Sequence, residues 1–140
     1  MKKFLALVLA LCMVFTVCAC GGSNAGDGAE YKVAMITDYG DITDQSFNQT
    51  TYEACKAFCE DNGIGFSYYK PAGDNTADRV AMVDKAIDEG YNVIVMPGYA
   101  FGGTIAEISG EYPDVKFFAL DVAAGDLLEA GVALAGETYD

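Results

Sequence analysis

Asp38, Asp41 and Asp44 recur at three-residue spacing directly before the triplet Ser46-Phe47-Asn48. Ionised carboxylates accept hydrogen bonds and donate none, an amide does both, and an aromatic ring offers a flat face for stacking. Together they suit a neutral or cationic ligand with donor groups: a flat, donor-rich ring or sugar hydroxyls. They do not suit a phosphate. Phosphate sites at helix starts use backbone N–H groups on glycine-rich turns. This stretch holds one glycine, Gly40, and three aspartates that repel an anion. The aspartate spacing does not match an EF-hand calcium loop, and the chain has no His for a zinc-type site. Nucleophilic catalysis lacks its parts, with no His, no nucleophile elbow, and no Ser or Cys beside a base. A pair of carboxylates alone can serve glycoside chemistry. A nucleoside hydrolase-like or flavodoxin-like enzyme is therefore the alternative to a binding protein. No catalytic residue, metal or cofactor is assigned.

These residues need a scaffold. The apolar run 31–37 predicts a strand buried on both faces, as in a parallel sheet. Residues 47–62 predict a helix burying Phe47, Thr51, Ala54, Cys55, Phe58 and Cys59, with Asp44 as N-cap and Gly63 as stop. The connection between them is longer than a plain strand-to-helix turn. A second strand is expected over 64–69 and a turn-rich loop over 70–75. Residues 76–89 predict a helix with Val80, Val83, Ala86 and Ile87 inward and Asp78, Arg79, Asp84, Lys85 and Asp88 outward. Strand 92–96, loop 97–103, helix 104–112 and strand 115–120 follow, and 131–135 reads as a fifth strand. Alternating strands and helices indicate right-handed βαβ units and a parallel sheet. The loops at its carboxyl edge collect Asp38, Asp41, Asp44 and Asp121, the aromatics Tyr39, Phe47, Tyr99 and Phe101, Asn48 and the bare backbone of Gly98. The same loops carry no Lys or Arg.

The chain has 140 residues and a net charge of -13, which argues against nucleic acid as a partner. Lys2 and Lys3 precede an apolar run, 4–17, interrupted by Thr16 and too short for a membrane span. Val17-Cys18-Ala19-Cys20 and then Gly21-Gly22-Ser23-Asn24 follow. A charged start, short apolar core and small-residue cleavage site describe an export signal. This one resembles a bacterial lipoprotein signal, in which Cys20 is acylated and becomes the first mature residue. An ordinary signal peptide is the alternative. The expected organisation is a signal at 1–19, a flexible tether at 20–30 and an α/β lobe at 31–140, lipid-anchored on the extracytoplasmic face of the cell membrane. Cys55 and Cys59 read as small apolar residues of the buried helix face.

Thr43-Asp44-Gln45-Ser46-Phe47-Asn48-Gln49 followed by Tyr52-Glu53-Ala54 resembles the Asp-Asp-x-Ser-Phe-Asn signature of the basic membrane lipoproteins. These are nucleoside-type substrate-binding lipoproteins of ABC importers. Gly90-Tyr91-Asn92-Val93-Ile94-Val95, Pro97-Gly98-Tyr99, and the run from Tyr112-Pro113-Asp114 to Ala119-Leu120-Asp121 support the resemblance. It implies a three-layer, Rossmann-like, parallel-sheet lobe of the type I periplasmic binding protein fold, with the second lobe absent from these 140 residues. It also implies a purine nucleoside as ligand, and permease and ATPase subunits as partners. Phe47 would stack on the base, while Asn48 and Asp121 would hydrogen-bond it. Asp38 and Tyr99 complete the candidate ligand set, and Cys20 is the lipidation site. Two positions depart from the signature: Thr43 replaces the first acid, and Ala54 stands where a Gly is common. A ligand sensor feeding a membrane receptor is a further alternative. The abrupt end at Asp140 leads us to expect a longer family protein.

Overall fold

The structure is a computed structural model that describes residues 30–135. The expected signal, the expected lipidation site Cys20, the expected tether up to Ala29 and residues 136–140 lie outside the described residues. Elements alternate: β1 (Lys32–Ile36), α1 (Phe47–Asn62), β2 (Gly65–Tyr69), α2 (Thr76–Asp88), β3 (Val93–Pro97), α3 (Phe101–Ile108), β4 (Lys116–Leu120) and α4 (Ala124–Glu129). Among the described residues no helix is long and apolar enough to cross a membrane.

The four strands form one parallel sheet in the order β2-β1-β3-β4. Val33 pairs with Phe66 on one side and Val93 on the other. Side chains alternate between the faces of a strand, so β1 feeds two cores. Ala34 and Ile36 join Ile94 and Met96 under Val83, Ala86, Phe101, Ile105, Ile108 and Leu127. Val33, Met35 and Val95 pack with Cys59 on the opposite face. Crossovers of one hand that step in opposite directions must lie on opposite faces. The step from β1 to β2 runs one way and the step from β2 to β3 the other. That places α1 alone on one face and α2, α3 and α4 on the other, giving three layers. Full burial of a Val, Ile or Met side chain contributes about 1.5–3 kcal/mol. The doubly covered β1 and β3 are therefore the anchor of the sheet. β4, exposed at Lys116 and Phe118, is an edge.

The structure departs from expectation in four places. The buried stripe of α1 is Asn48, Thr51 and Cys59 with Tyr52 and Cys55 beside them. Phe47 and Phe58 are 43% and 57% exposed, and Ala54 is also exposed. The helix is rotated because the polar Asn48 has partners inside. Arg79, expected on the solvent face of α2, is only 3% exposed. Helix α3 begins at Phe101 rather than 104, because the Phe101 ring is buried in the core. Gly103 faces Thr76 of α2: an added Cβ would lie 3.4 Å from Thr76 Oγ1, in ordinary contact. Finally, residues 124–129 form α4, and 131–135 contains no strand among the described residues. Val132 and Leu134 alternate inward against the α2–α3 core without pairing to β4.

Candidate functional site

In the order β2-β1-β3-β4, the connections after β1 and β3 leave toward opposite faces. Ligands of open α/β sheets bind at such a switch point, outside the carboxyl ends of the strands. Residues 37–46 follow β1 there, and 98–100 follow β3. The two loops touch. Gly98 has φ +123°, a conformation that L side chains rarely adopt, and an added Cβ would lie 3.8 Å from Asp38 Cβ. Its N–H donates to Leu120 O at 2.9 Å, fixing the loop to β4.

The β1 loop is built around Asp38 and Asn48. Asp38 Oδ1 accepts from Tyr39 N at 2.6 Å, Gly40 N at 2.7 Å and Asn48 Nδ2 at 3.0 Å. Asn48 Oδ1 accepts from Asp38 N at 3.3 Å. Asn48 Nδ2 also donates to Asp44 Oδ2 at 3.0 Å. An amide nitrogen has two protons, and both are committed to carboxylates. Gly40 is demanded by this packing, since a Cβ there would come within 2.5 Å of Asn48 Nδ2. Asp44 Oδ1 accepts from Ser46 N at 2.7 Å and Gln49 N at 3.2 Å. The N-cap position itself is Ser46, whose side chain makes no cap bond. Asp44 thus serves the helix start from two residues upstream, where a carboxylate also meets the positive end of the helix dipole.

The carboxylates are not bare, contrary to the sequence expectation. Lys70, just past β2, reaches Asp41 Oδ2 at 3.2 Å. Arg79, the single Arg of the chain, sends Nε to Asp38 O at 3.1 Å and Nη2 to the Asp74 carboxylate. Burial pushes the Asp38 carboxyl up, yet the N–H groups of Gly40 and Tyr39, the Asn48 amide and the Arg79 charge together hold it below its ordinary range. Lys70 and Thr43 lower Asp41. Desolvation opposes the shift at Asp44, but the Asn48 amide and the Ser46 and Gln49 N–H groups outweigh it and lower that carboxyl.

The sequence-predicted residues divide into two groups. Asp38 and Asn48 meet in the hydrogen-bonded loop, with Asn48 buried at 5% exposure. Asp38 Oδ2 lies on the Gly98 side, 3.9 Å from where a Gly98 Cβ would stand. Phe47, Tyr99 and Asp121 are exposed on three different connections, after β1, β3 and β4. Asp121 takes a left-handed φ of +60° directly after β4. Phe101, counted among the loop aromatics, belongs to the core instead. Sequence reasoning missed Lys70, Asp74 and Arg79 as supports of the site. The one available signal was that Arg79 is the only guanidinium in an acidic chain. A groove lined by Tyr52, Lys56, Cys59, Glu60, Phe66 and Tyr68 lies between α1 and the edge strand β2, apart from these loops.

This edge can accept hydrogen bonds at Asp38 Oδ2 and Asp121 and stack a ring on Phe47 or Tyr99. Comparison with known proteins bears on the family and the fold. A "CD4+ T-cell-stimulating antigen" of Listeria innocua is 30% identical over 139 residues, covering 89% of this chain and 38% of that protein. The "ABC transporter nucleoside-binding protein BmpA" of Lactococcus lactis is 23% identical over 137 residues, covering 90% of this chain and 38% of its own length. The chain therefore spans about 38% of the length of these relatives. A crystal structure of ABC transporter system solute-binding proteins from Aeropyrum pernix shares the fold at TM-score 0.59 and 24% identity, over 66% of this chain and 25% of that one. The four-stranded parallel sheet with flanking helices is the α/β lobe of the periplasmic binding fold. Residues 31–129 match the family Bmp, described as "ABC transporter substrate-binding protein PnrA-like", and the chain belongs to that family.

Proposed function

We propose that this chain supplies one lobe of an extracytoplasmic solute-binding lipoprotein that captures a purine nucleoside for an ABC importer. The observation that carries the reading is the loop after β1. Its carboxylates are ordered by Asn48 and by backbone N–H groups, and the exposed Phe47 ring begins the helix beside them. Phe47 stacks on the base. Asp38 Oδ2 and Asp121 accept its N–H groups, Tyr99 lines the approach from β3, and Asn48 contributes from within the network. The nucleoside-binding name of the Lactococcus lactis relative supports this ligand class. Closure needs a second lobe, which belongs to the longer family protein. Acylation at Cys20 holds the assembly at the membrane beside permease and ATPase subunits; Cys20→Ser releases it or blocks processing, and unchanged membrane partitioning would overturn the anchor.

Calorimetry on a protein of the relatives' full length tests the ligand class. Inosine, guanosine or adenosine is expected to bind, with free sugars and amino acids giving no heat. Binding of a sugar or amino acid, with nucleosides silent, would replace this reading.

A further inference from the structure

We infer that Arg79 is a positioning residue for the ligand site: its buried guanidinium caps the Asp38 carbonyl and so sets where the Asp38 carboxylate and Asn48 amide stand. The β1–β2 ladder ends at the pair Ile36↔Tyr69, with Thr37 N donating to Tyr69 O at 3.0 Å. The Asp38 carbonyl lies beyond that ladder, and Arg79 Nε reaches it at 3.1 Å. Nη2 of the same guanidinium holds the Asp74 carboxylate. The Phe101 ring lies beneath it, 5.8 Å from Cζ to the centroid. One planar group thus ties together the loop after β1, the loop after β2, and the first residue of α3.

Three facts separate this from an ordinary ion pair. The Arg79 side chain is 4% exposed and Asp74 58%, so the pair is neutralised at the rim while the cation reaches inward. The inward bond goes to a backbone carbonyl, which an apolar replacement of equal volume leaves unpaired. The bonds made by Asp38 Oδ1 stay within the loop and its helix start, and would move with them. Lys70 also reaches this loop, but through an exposed, salt-screened pair. A lysine cannot reproduce the fork, because an ammonium is a compact point charge without two fixed donor directions.

The test begins without any ligand. In the 140-residue chain, amide hydrogen exchange is followed at Tyr39 and Gly40, whose N–H groups lean on Asp38. Arg79→Lys and Arg79→Met are expected to speed exchange at these two amides about ten-fold more than at Ile94 in the core. Val83→Ala, a core truncation on the same helix, is expected to change all three alike. If an Arg79 variant does not fold, Asp74→Asn, which alters only the exposed partner, is expected to show a smaller change at the same two amides. Uniform change across loop and core, or full protection in Arg79→Lys, overturns the inference. The ligand half rests on the proposed function and is read separately. At the relatives' full length, Arg79→Lys is expected to weaken inosine binding about ten-fold while Val83→Ala leaves it within about two-fold. Absence of inosine binding in the unsubstituted protein would sink the nucleoside reading and leave the exchange result standing.

Discussion

Asp38 and Asn48 hold each other twice, through Asn48 Nδ2 to Asp38 Oδ1 at 3.0 Å and Asp38 N to Asn48 Oδ1 at 3.3 Å. The reciprocal pair joins the end of β1 to the start of α1 across ten residues of sequence. Breaking it leaves a backbone N–H and two carboxylates without their partner. Asn48→Ala should therefore cost about 1–3 kcal/mol, the range for leaving part-buried polar groups unsatisfied. Asn48→Asp should be worse, since it adds a third carboxylate between Asp38 and Asp44. Urea unfolding of the two variants checks both the size and the order. Equal stability of Asn48→Asp and the unsubstituted chain would refute the account.

Acid should loosen the same loop. The folded Asp38 carboxyl lies below its unfolded value, so its ionised form stabilises the fold above the unfolded value, about 3.9. That contribution is lost as pH falls through the lower, folded value. Thermal melts between about pH 5 and pH 2 should show stability falling in that window. Asp38→Asn should start lower and show a flatter fall. A variant profile parallel to the unsubstituted one would mean that Asp38 contributes nothing to the acid transition.

Phe47 and Phe58 form a matched pair, at 43% and 57% exposure on one helix. Neither truncation opens a core cavity, so each should change stability by only about 0.5 kcal/mol. Ligand binding should separate them. Loss of stacking removes about 0.5–1.5 kcal/mol beyond the area lost, so Phe47→Ala should weaken nucleoside binding several-fold. Phe58→Ala should not. Calorimetry on the two variants at the relatives' full length decides it, and equal affinities would remove Phe47 from the site.

Charge should select between a nucleoside and its phosphate ester. Two cations stand near the loop, but Lys70 is paired with Asp41 and Arg79 with Asp74. A phosphate entering there meets Asp38, Asp44 and Asp121 with the nearby cations already engaged. Titration with inosine and its monophosphate should show clear preference for inosine, narrowing as salt rises. Preference for the monophosphate would show that Lys70 or Arg79 leaves its carboxylate for the ligand.

Much of the scaffold was legible because it is written in apolar runs. Val33-Ala34-Met35-Ile36 and Val93-Ile94-Val95-Met96 read as short strands buried on both sides, and parallel order follows from the helices between them. The loop at the end of β1 was legible from its length and its aspartates. The inward face of α1 was not, because Asn48 is buried by virtue of two carboxylates that periodicity does not see. Arg79 was misplaced for the same reason: its inward partner lies 41 residues earlier, and a helical wheel shows only its charge. The start of α3 was placed late because Gly102-Gly103 looks like a loop until the buried Phe101 before it is known.

The sheet order has a consequence for how this site can change. The loops after β1 and β3 hang from the two inner strands, each paired on both sides. Fraying at an outer strand leaves their roots in place, so the backbone that aims Asp38 and Gly98 is stiff whatever side chains it carries. New ligand specificities can then be written by exchanging residues between Tyr39 and Phe47, or at Tyr99, without renegotiating the core. The positions that resist such rewriting are Gly40, Asp44, Asn48 and Gly98, where space, φ or committed hydrogen bonds admit little else.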